Sequence, residues 1–343
     1  MKYLLILGNG FSIDLLEHLG KHTDIPLSNL FAHGDKLLWP AIGHNAFISF
    51  RNTPNLWILG VRPSNSAEKN NQIIENIITC ANAYYLKEPG TRSFGQTDKR
   101  SIYIDAYREL VVYLKYLFVS FDKEVPINKH DISNWPWARL FNSLSSNEII
   151  EKIDIVTFNY DVWLERVLDA LEIEYNVSVI NENDAKKFSV TKPHGSISFI
   201  HSKKIELSAF SINYESDYLE GSSSDFSLTM EDLDVNTPII PIIPPAGDSE
   251  RFNLTWAGSL RRDAVEKAGS LQEGDHVILC GLSYWHVDRR EIDDLLMKVS
   301  DKVSLSYINP SPPETFDAVL TSLFSQYEHY TTIGRYTEGA FNA

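Results

Sequence analysis

Five short clusters in this chain combine groups that could act on a sugar, a phosphate or a polarised bond. Thr157-Phe158-Asn159-Tyr160-Asp161 sets an amide and a carboxylate two residues apart at the end of an apolar run. Polar side chains so placed are costly unless hydrogen-bonded, and they could orient a hydroxyl or a water. Lys192-Pro193-His194-Gly195-Ser196 holds an imidazole between a stiff and a permissive residue, a setting that suits a general base near neutral pH. Gly8-Asn9-Gly10-Phe11-Ser12 lies between an apolar run and a helical pattern, where glycines and a helix N-terminus can approach a pyrophosphate. Gly281-Leu282-Ser283, with Asp288 soon after, and Asn309 close two further apolar runs and could contact ribose hydroxyls or adenine. Each cluster also has a purely structural reading. Asn159 or Asp161 could cap a helix, His194 could be structural, and the first glycine turn misses the dinucleotide spacing G-x-G-x-x-G because Ile13 stands at the third glycine's position.

The elements that must carry these clusters follow from hydropathy patterning. Residues 3–7, 57–61, 154–158, 176–180, 275–280 and 303–308 read as strands, the last of these as the final strand, and 197–201 as extended chain. Helical spacing predicts helices over 13–19, 71–86, 102–121, 162–171, 256–271 and 288–299. Residues 87–100 read as an exposed loop, 202–236 as a long polar loop or small subdomain, and 238–247 as proline-rich extended chain. Strand, glycine turn and helix alternate, which predicts an α/β fold: a doubly wound, Rossmann-like parallel sheet with a mainly helical insertion at about 64–150. Residues 1–310 form the expected domain, and 311–343 a helical or irregular tail packed on it. In such sheets ligands bind beyond the carboxyl ends of the strands, where all five clusters fall.

Composition narrows the classes. The chain has 343 residues, 43% hydrophobic and 22% charged, as ordinary globular proteins do. No apolar run reaches membrane-spanning length, and the apolar N-terminus is too short, and lacks the cleavage pattern, for a signal peptide. A net charge of −15 disfavours direct nucleic-acid binding. Two distant cysteines, Cys80 and Cys280, make neither a disulfide framework nor a four-thiolate zinc site, and no H-E-x-x-H pattern occurs. A reducing cytoplasm is the expected compartment, with no metal.

The order of the clusters resembles the sirtuin family, and more closely its bacterial sirtuin-like branch. There, too, a glycine-rich turn is followed by Thr-x-Asn-x-Asp, a His-Gly turn, a Gly-x-Ser turn and a terminal Asn. The likeness runs from residue 4 to residue 310. It implies that Gly8, Gly10 and Ser12 cradle the phosphates of NAD+, with Phe11 and Thr157 among the cofactor-binding positions. Asn159 and Asp161 would hold the nicotinamide ribose, and His194 would be the catalytic base. Gly281, Ser283 and Asn309 would line the adenosine side, with Asp288 beside them. Asn9 replaces the usual alanine, no Gly-Ile-Pro follows the first turn, and Phe158 replaces the usual glutamine. With the zinc module absent as well, the likeness favours the branch that hydrolyses NAD+, typically as an effector of bacterial antiphage defence.

The expected activity is therefore NAD+ hydrolysis to nicotinamide and ADP-ribose. Deacylation of a protein substrate and non-catalytic sensing of NAD+ or ADP-ribose are the alternatives. An ungated NADase would drain its host. The chain is accordingly expected to act as a homo-oligomer, or with a sensor or ATPase subunit of a defence system.

Overall fold

The first apolar run, Lys2–Leu7, forms the middle strand (β1) of a seven-stranded sheet. Leu4, Leu5, Ile6 and Leu7 are wholly buried, as a strand apolar on both sides must be when helices cover both faces of its sheet. The computed structural model describes residues 1–41, 46–87, 101–180, 186–214, 221–244, 255–284 and 289–340. Outside them fall residues 88–100 of the expected loop at 87–100, parts of the expected polar and proline-rich segments (215–220 and 245–247), the last residues of the tail, and Asp288.

Next in the chain are β2 (Lys152–Thr157), β3 (Tyr175–Val177) and β4 (Phe188–Thr191). β5 (Phe199–His201) and β6 (Phe226–Leu228) form a separate antiparallel pair. β7 (His276–Cys280), β8 (Ser304–Ile308) and β9 (Gln326–Tyr330) complete the large sheet, whose order is β3-β4-β2-β1-β7-β8-β9. All its pairs are parallel. The helices are α1 (Asn9–His18), α2 (Pro54–Ile58), α3 (Ala67–Lys87), α4 (Ile102–Glu124), α5 (Lys129–Ile132), α6 (Pro136–Ser146), α7 (Trp163–Ala170), α8 (Thr255–Gly269), α9 (Arg289–Leu296), α10 (Glu314–Leu323) and α11 (Ile333–Ala340).

The chain divides into two units: Met1–His22, Pro126–Pro193 and Ser259–Ala343 form the first, and Thr23–Val125 with His194–Gly258 the second. The first contains the whole large sheet. One face packs Leu4, Ile6, Val277, Leu279 and Leu305 against Ala264 and Ala268 of α8, Ile292 and Leu295 of α9, and Phe316 and Leu320 of α10. Phe11 of α1 packs its ring against Trp135, Trp137 and Phe141, around and within α6. The fold is thus the doubly wound α/β sheet that the strand-turn-helix alternation implies.

The second unit holds α2, α3 and α4 together with the β5–β6 pair. Its α4 buries a near-continuous apolar stretch, and Phe47, Tyr113, Tyr116 and Phe210 form an aromatic cluster against it. The helical material expected at 64–150 is shared: α3 and α4 lie here, α5 and α6 in the first unit.

Three elements differ from the sequence expectation. Residues 57–61 do not form a strand. Pro54 opens α2, the Glu109 carboxylate accepts hydrogen bonds from the Asn55 and Leu56 amides at its start, and Gly60 at φ +96° follows its end. A five-residue apolar run cannot by itself separate strand from buried helix, and here a distant carboxylate decides. β4 was hidden because Ser189 and Thr191 break its apolar pattern, although all four of its residues are buried. β9, Gln-Tyr-Glu-His-Tyr, is an edge strand inside the expected helical or irregular tail, so β8 is not the last strand. Its exposed polar side chains carry no strand signature.

Candidate functional site

The connection after β1 leads toward β2 on one side, and the one after β7 leads to β8 on the other. Adjacent strands whose exits diverge open a crevice at their carboxyl ends, the usual ligand position in such sheets. The turns leaving β1 and β7 meet there. Gly8 N donates to Cys280 O (2.9 Å), and Gly10 N donates to Gly281 O (3.2 Å). A Cβ on Gly10 would lie 2.4 Å from the Gly281 Cα, and Gly281 itself has φ +63°. The floor of the crevice is therefore bare backbone, because only glycine allows two turns to touch in this way.

This accounts for the glycines without a ligand. The amides of Gly8, Gly10 and Phe11 all donate to carbonyls of the protein, Phe11 N reaching Gly8 O at 3.1 Å. Phe11, expected near the cofactor, is buried in the aromatic core beneath α1.

The loop after β2 brings Asn159 to this floor. Its Nδ2 donates to Gly8 O (3.0 Å) and to Ser12 Oγ (2.9 Å). A carbonyl oxygen can only accept, so the Gly8 contact fixes which end of the amide faces it. Both amide hydrogens are then committed. The half-buried Oδ1 has no hydrogen-bond partner among the described residues and remains as an acceptor. Thr157, buried at the end of β2, accepts from Asn159 N through its hydroxyl (3.3 Å).

Ser12 passes the arrangement on. Its hydroxyl donates to Asp161 Oδ2 (2.8 Å), while Trp163 N at the start of α7 donates to Asp161 Oδ1 (3.1 Å). Asp161 is buried, and loss of solvent pushes its carboxyl above the usual carboxylate range, an effect that the Lys192 ammonium opposes. The sequence expectation gave Asp161 to the ribose. Its carboxylate oxygens here bind the α1 serine and the first amide of α7.

Two residues without an expected role complete the network. Lys192 Nζ donates to the main-chain carbonyl of Asp161 (2.5 Å) and to Glu165 Oε1 (2.8 Å). Both ionic side chains are essentially without solvent contact. Glu165 could have been noticed in the sequence, since it stands four residues after Asp161 on a helical pattern, one turn along the same face. Lys192 gave no such signal, because lysine before proline is ordinary in a surface turn.

Gly8, Gly10, Ser12, Asn159, Asp161 and Gly281 thus form one cluster. Asn309 lies at the next strand exit, where its Nδ2 donates to Tyr307 Oη (2.7 Å) and its Oδ1 accepts from Ser311 N (2.9 Å). The β7 turn is linked to that exit through Gly281 N, which donates to Ile308 O (3.3 Å). Ser283 is exposed. His194 is the first residue of the second unit's later segment and is buried. Its carbonyl accepts from Ile243 N (2.9 Å), and Gly195, at φ +80°, bridges to Ile242 so closely that a Cβ would fall 1.8 Å from Pro241 O. Gly195 is thus required by backbone geometry whatever the neighbouring imidazole does. No helix among the described residues is long and apolar enough to cross a membrane.

Compared with protein-family models and with curated proteins, the chain matches none.

Proposed function

We propose that this chain binds NAD+ at the β1/β7 crevice and hydrolyses its nicotinamide–ribose bond, giving nicotinamide and ADP-ribose. One observation carries the reading. Asn159 is locked at the strand ends with both amide hydrogens used and one carbonyl oxygen left to accept, beside a floor of bare glycine backbone. An acceptor so fixed suits a ribose hydroxyl or an attacking water, and its orientation costs nothing when the reaction begins.

As the C–N bond breaks, the electron pair leaves with nicotinamide and positive charge develops on the ribose. Water supplies the new oxygen at the anomeric carbon and loses a proton. His194 is assigned that proton on its place between Pro193 and Gly195 and on the sirtuin resemblance. Asp161 serves by holding Ser12, and through it Asn159. Gating by a homo-oligomer or by a sensor or ATPase subunit, and a role in antiphage defence, belong to the same proposal.

The test is incubation of the purified chain, alone and with the products of its neighbouring genes, with NAD+, followed by chromatography of the products. Nicotinamide and ADP-ribose in equal amounts, abolished by His194→Ala, are expected. Intact NAD+ in every preparation would falsify hydrolysis. A second reading, binding without turnover, draws on the internal commitment of the Gly8, Gly10 and Phe11 amides and of the Ser12 hydroxyl, which leaves fewer donors for phosphate. Calorimetric NAD+ binding without product would favour it.

A further inference from the structure

We infer that Lys192 is a positioning residue that sets the place of Asn159 by gripping the main-chain carbonyl of Asp161, with Glu165 as the buried counter-charge that keeps the lysine there. The role rests on the proposed hydrolysis only for its activity readout. The geometry is a chain of single contacts. Lys192 Nζ holds Asp161 O, the Asp161 carboxylate holds Ser12 Oγ, and Ser12 Oγ holds Asn159 Nδ2. The loop from β2 to α7 is thereby clamped at two points: its carboxylate to α1, and its backbone to the end of β4.

Stability alone does not account for the pair. Lys192 and Glu165 are both buried, and Glu165 Oε2 has no hydrogen-bond partner among the described residues. Two desolvated charges with an oxygen left over are a poor way to hold a core, and apolar residues of the same size often serve as well or better. An ammonium does provide one thing that an apolar side chain cannot, a directed donor to a loop carbonyl. A further feature fits: Lys192 stands two residues before His194, so the segment that leads into the expected base also fixes the loop carrying Asn159.

The test separates position from stability. Lys192→Met alone leaves the Glu165 carboxylate buried and unpaired, and its melting temperature is expected to fall markedly. The double variant Lys192→Met/Glu165→Met removes both charges and is expected to recover most of that fall, while the Asp161 carbonyl remains without its donor. Hydrogen exchange of the amides in 157–163 is then measured relative to those of β1 in the same sample, so a general loss of stability cancels. In the double variant this ratio is expected to rise at least tenfold, and kcat for NAD+ to stay at least tenfold below that of the unmodified chain. Wild-type exchange at 157–163, or wild-type kcat in the double variant, overturns the proposal. If the unmodified chain does not consume NAD+, the hydrolysis reading fails, and the exchange ratio alone decides the role of Lys192.

Discussion

Two lysines are withdrawn from solvent in the first unit, and their surroundings differ in a way that separates a site from a strut. Lys267 of α8 reaches the sheet, where its ammonium meets Ser178 Oγ (2.5 Å), Ser189 Oγ (3.0 Å) and Thr191 Oγ1 (2.6 Å), and pairs with Asp263 at 2.8 Å. Asp154 of β2 lies at 4.0 Å. This cluster ties a helix to three neighbouring strands, and its hydroxyls are spent on the ammonium, on one another or on Asp263. The Lys192 cluster ends differently. Its contacts run outward, from lysine to loop to serine, and finish at Asn159 with an acceptor still open. Closed networks rigidify; a network that ends in a free polar atom at a strand exit is prepared for something not of the protein.

The largest effect is expected at Asn159. Asn159→Ala removes the open acceptor and is expected to lower kcat for NAD+ by about 10²–10³ with little change in melting temperature. A large fall in stability with unchanged turnover per folded molecule would make Asn159 a strut like Lys267. Lys267→Met should do the opposite: it strands Asp263 and Asp154 and costs about 3–4 kcal/mol in a denaturant titration, with kcat unchanged.

A third lysine sharpens the contrast, because among the described residues it has no carboxylate in hydrogen-bond contact. Lys115 of the second unit is buried and donates to Val235 O. Burial pushes its ammonium down to about 8, with only partial opposition from the Asp234 charge. The unfolded lysine keeps its proton to about pH 10.5, so between pH 8 and 10.5 the unfolded state binds more protons. Stability from this group should therefore rise with pH across that window, by about 3 kcal/mol in all, with the cost of burial fully present below pH 8. Lys115→Met should flatten that rise, and pH-dependent urea midpoints of the two proteins will show whether it does. The smallest expected effect concerns the floor. Gly10→Ala must push the turn away from Gly281 and should cost about 2 kcal/mol and weaken NAD+ binding. Gly258→Ala, where an added Cβ meets no atom of the described residues within 4 Å, should leave binding alone and stabilise α8 by about 0.5–1 kcal/mol, both readable by calorimetry.

Much of the scaffold was legible because its signals are local. The buried strands β1, β2, β7 and β8 read as apolar runs, and each is followed by a turn whose residue types advertise it. Asn159 and Asp161 were legible as polar residues stranded at the end of such a run. What they touch was not. Nothing in the spacing of Gly8, Ser12, Asn159 and Asp161 says that the asparagine donates to the first turn, or that the aspartate turns away to hold a serine and a helix start. Lys192 and Glu165, 27 residues apart, become partners only when β4 is laid beside β2.

By itself the sequence determined the class of fold, since periodicity and glycine turns are properties of a few neighbouring residues. It also determined which residues could carry chemistry, since that depends on side-chain type. The tertiary structure alone decided their orientation. It closed the Gly8 and Gly10 amides onto β7, committed Phe11 to the core, and left Asn159 with an oxygen to offer. The reason is that hydrogen-bond capacity is written in each residue, whereas its use is settled by which distant groups reach it first.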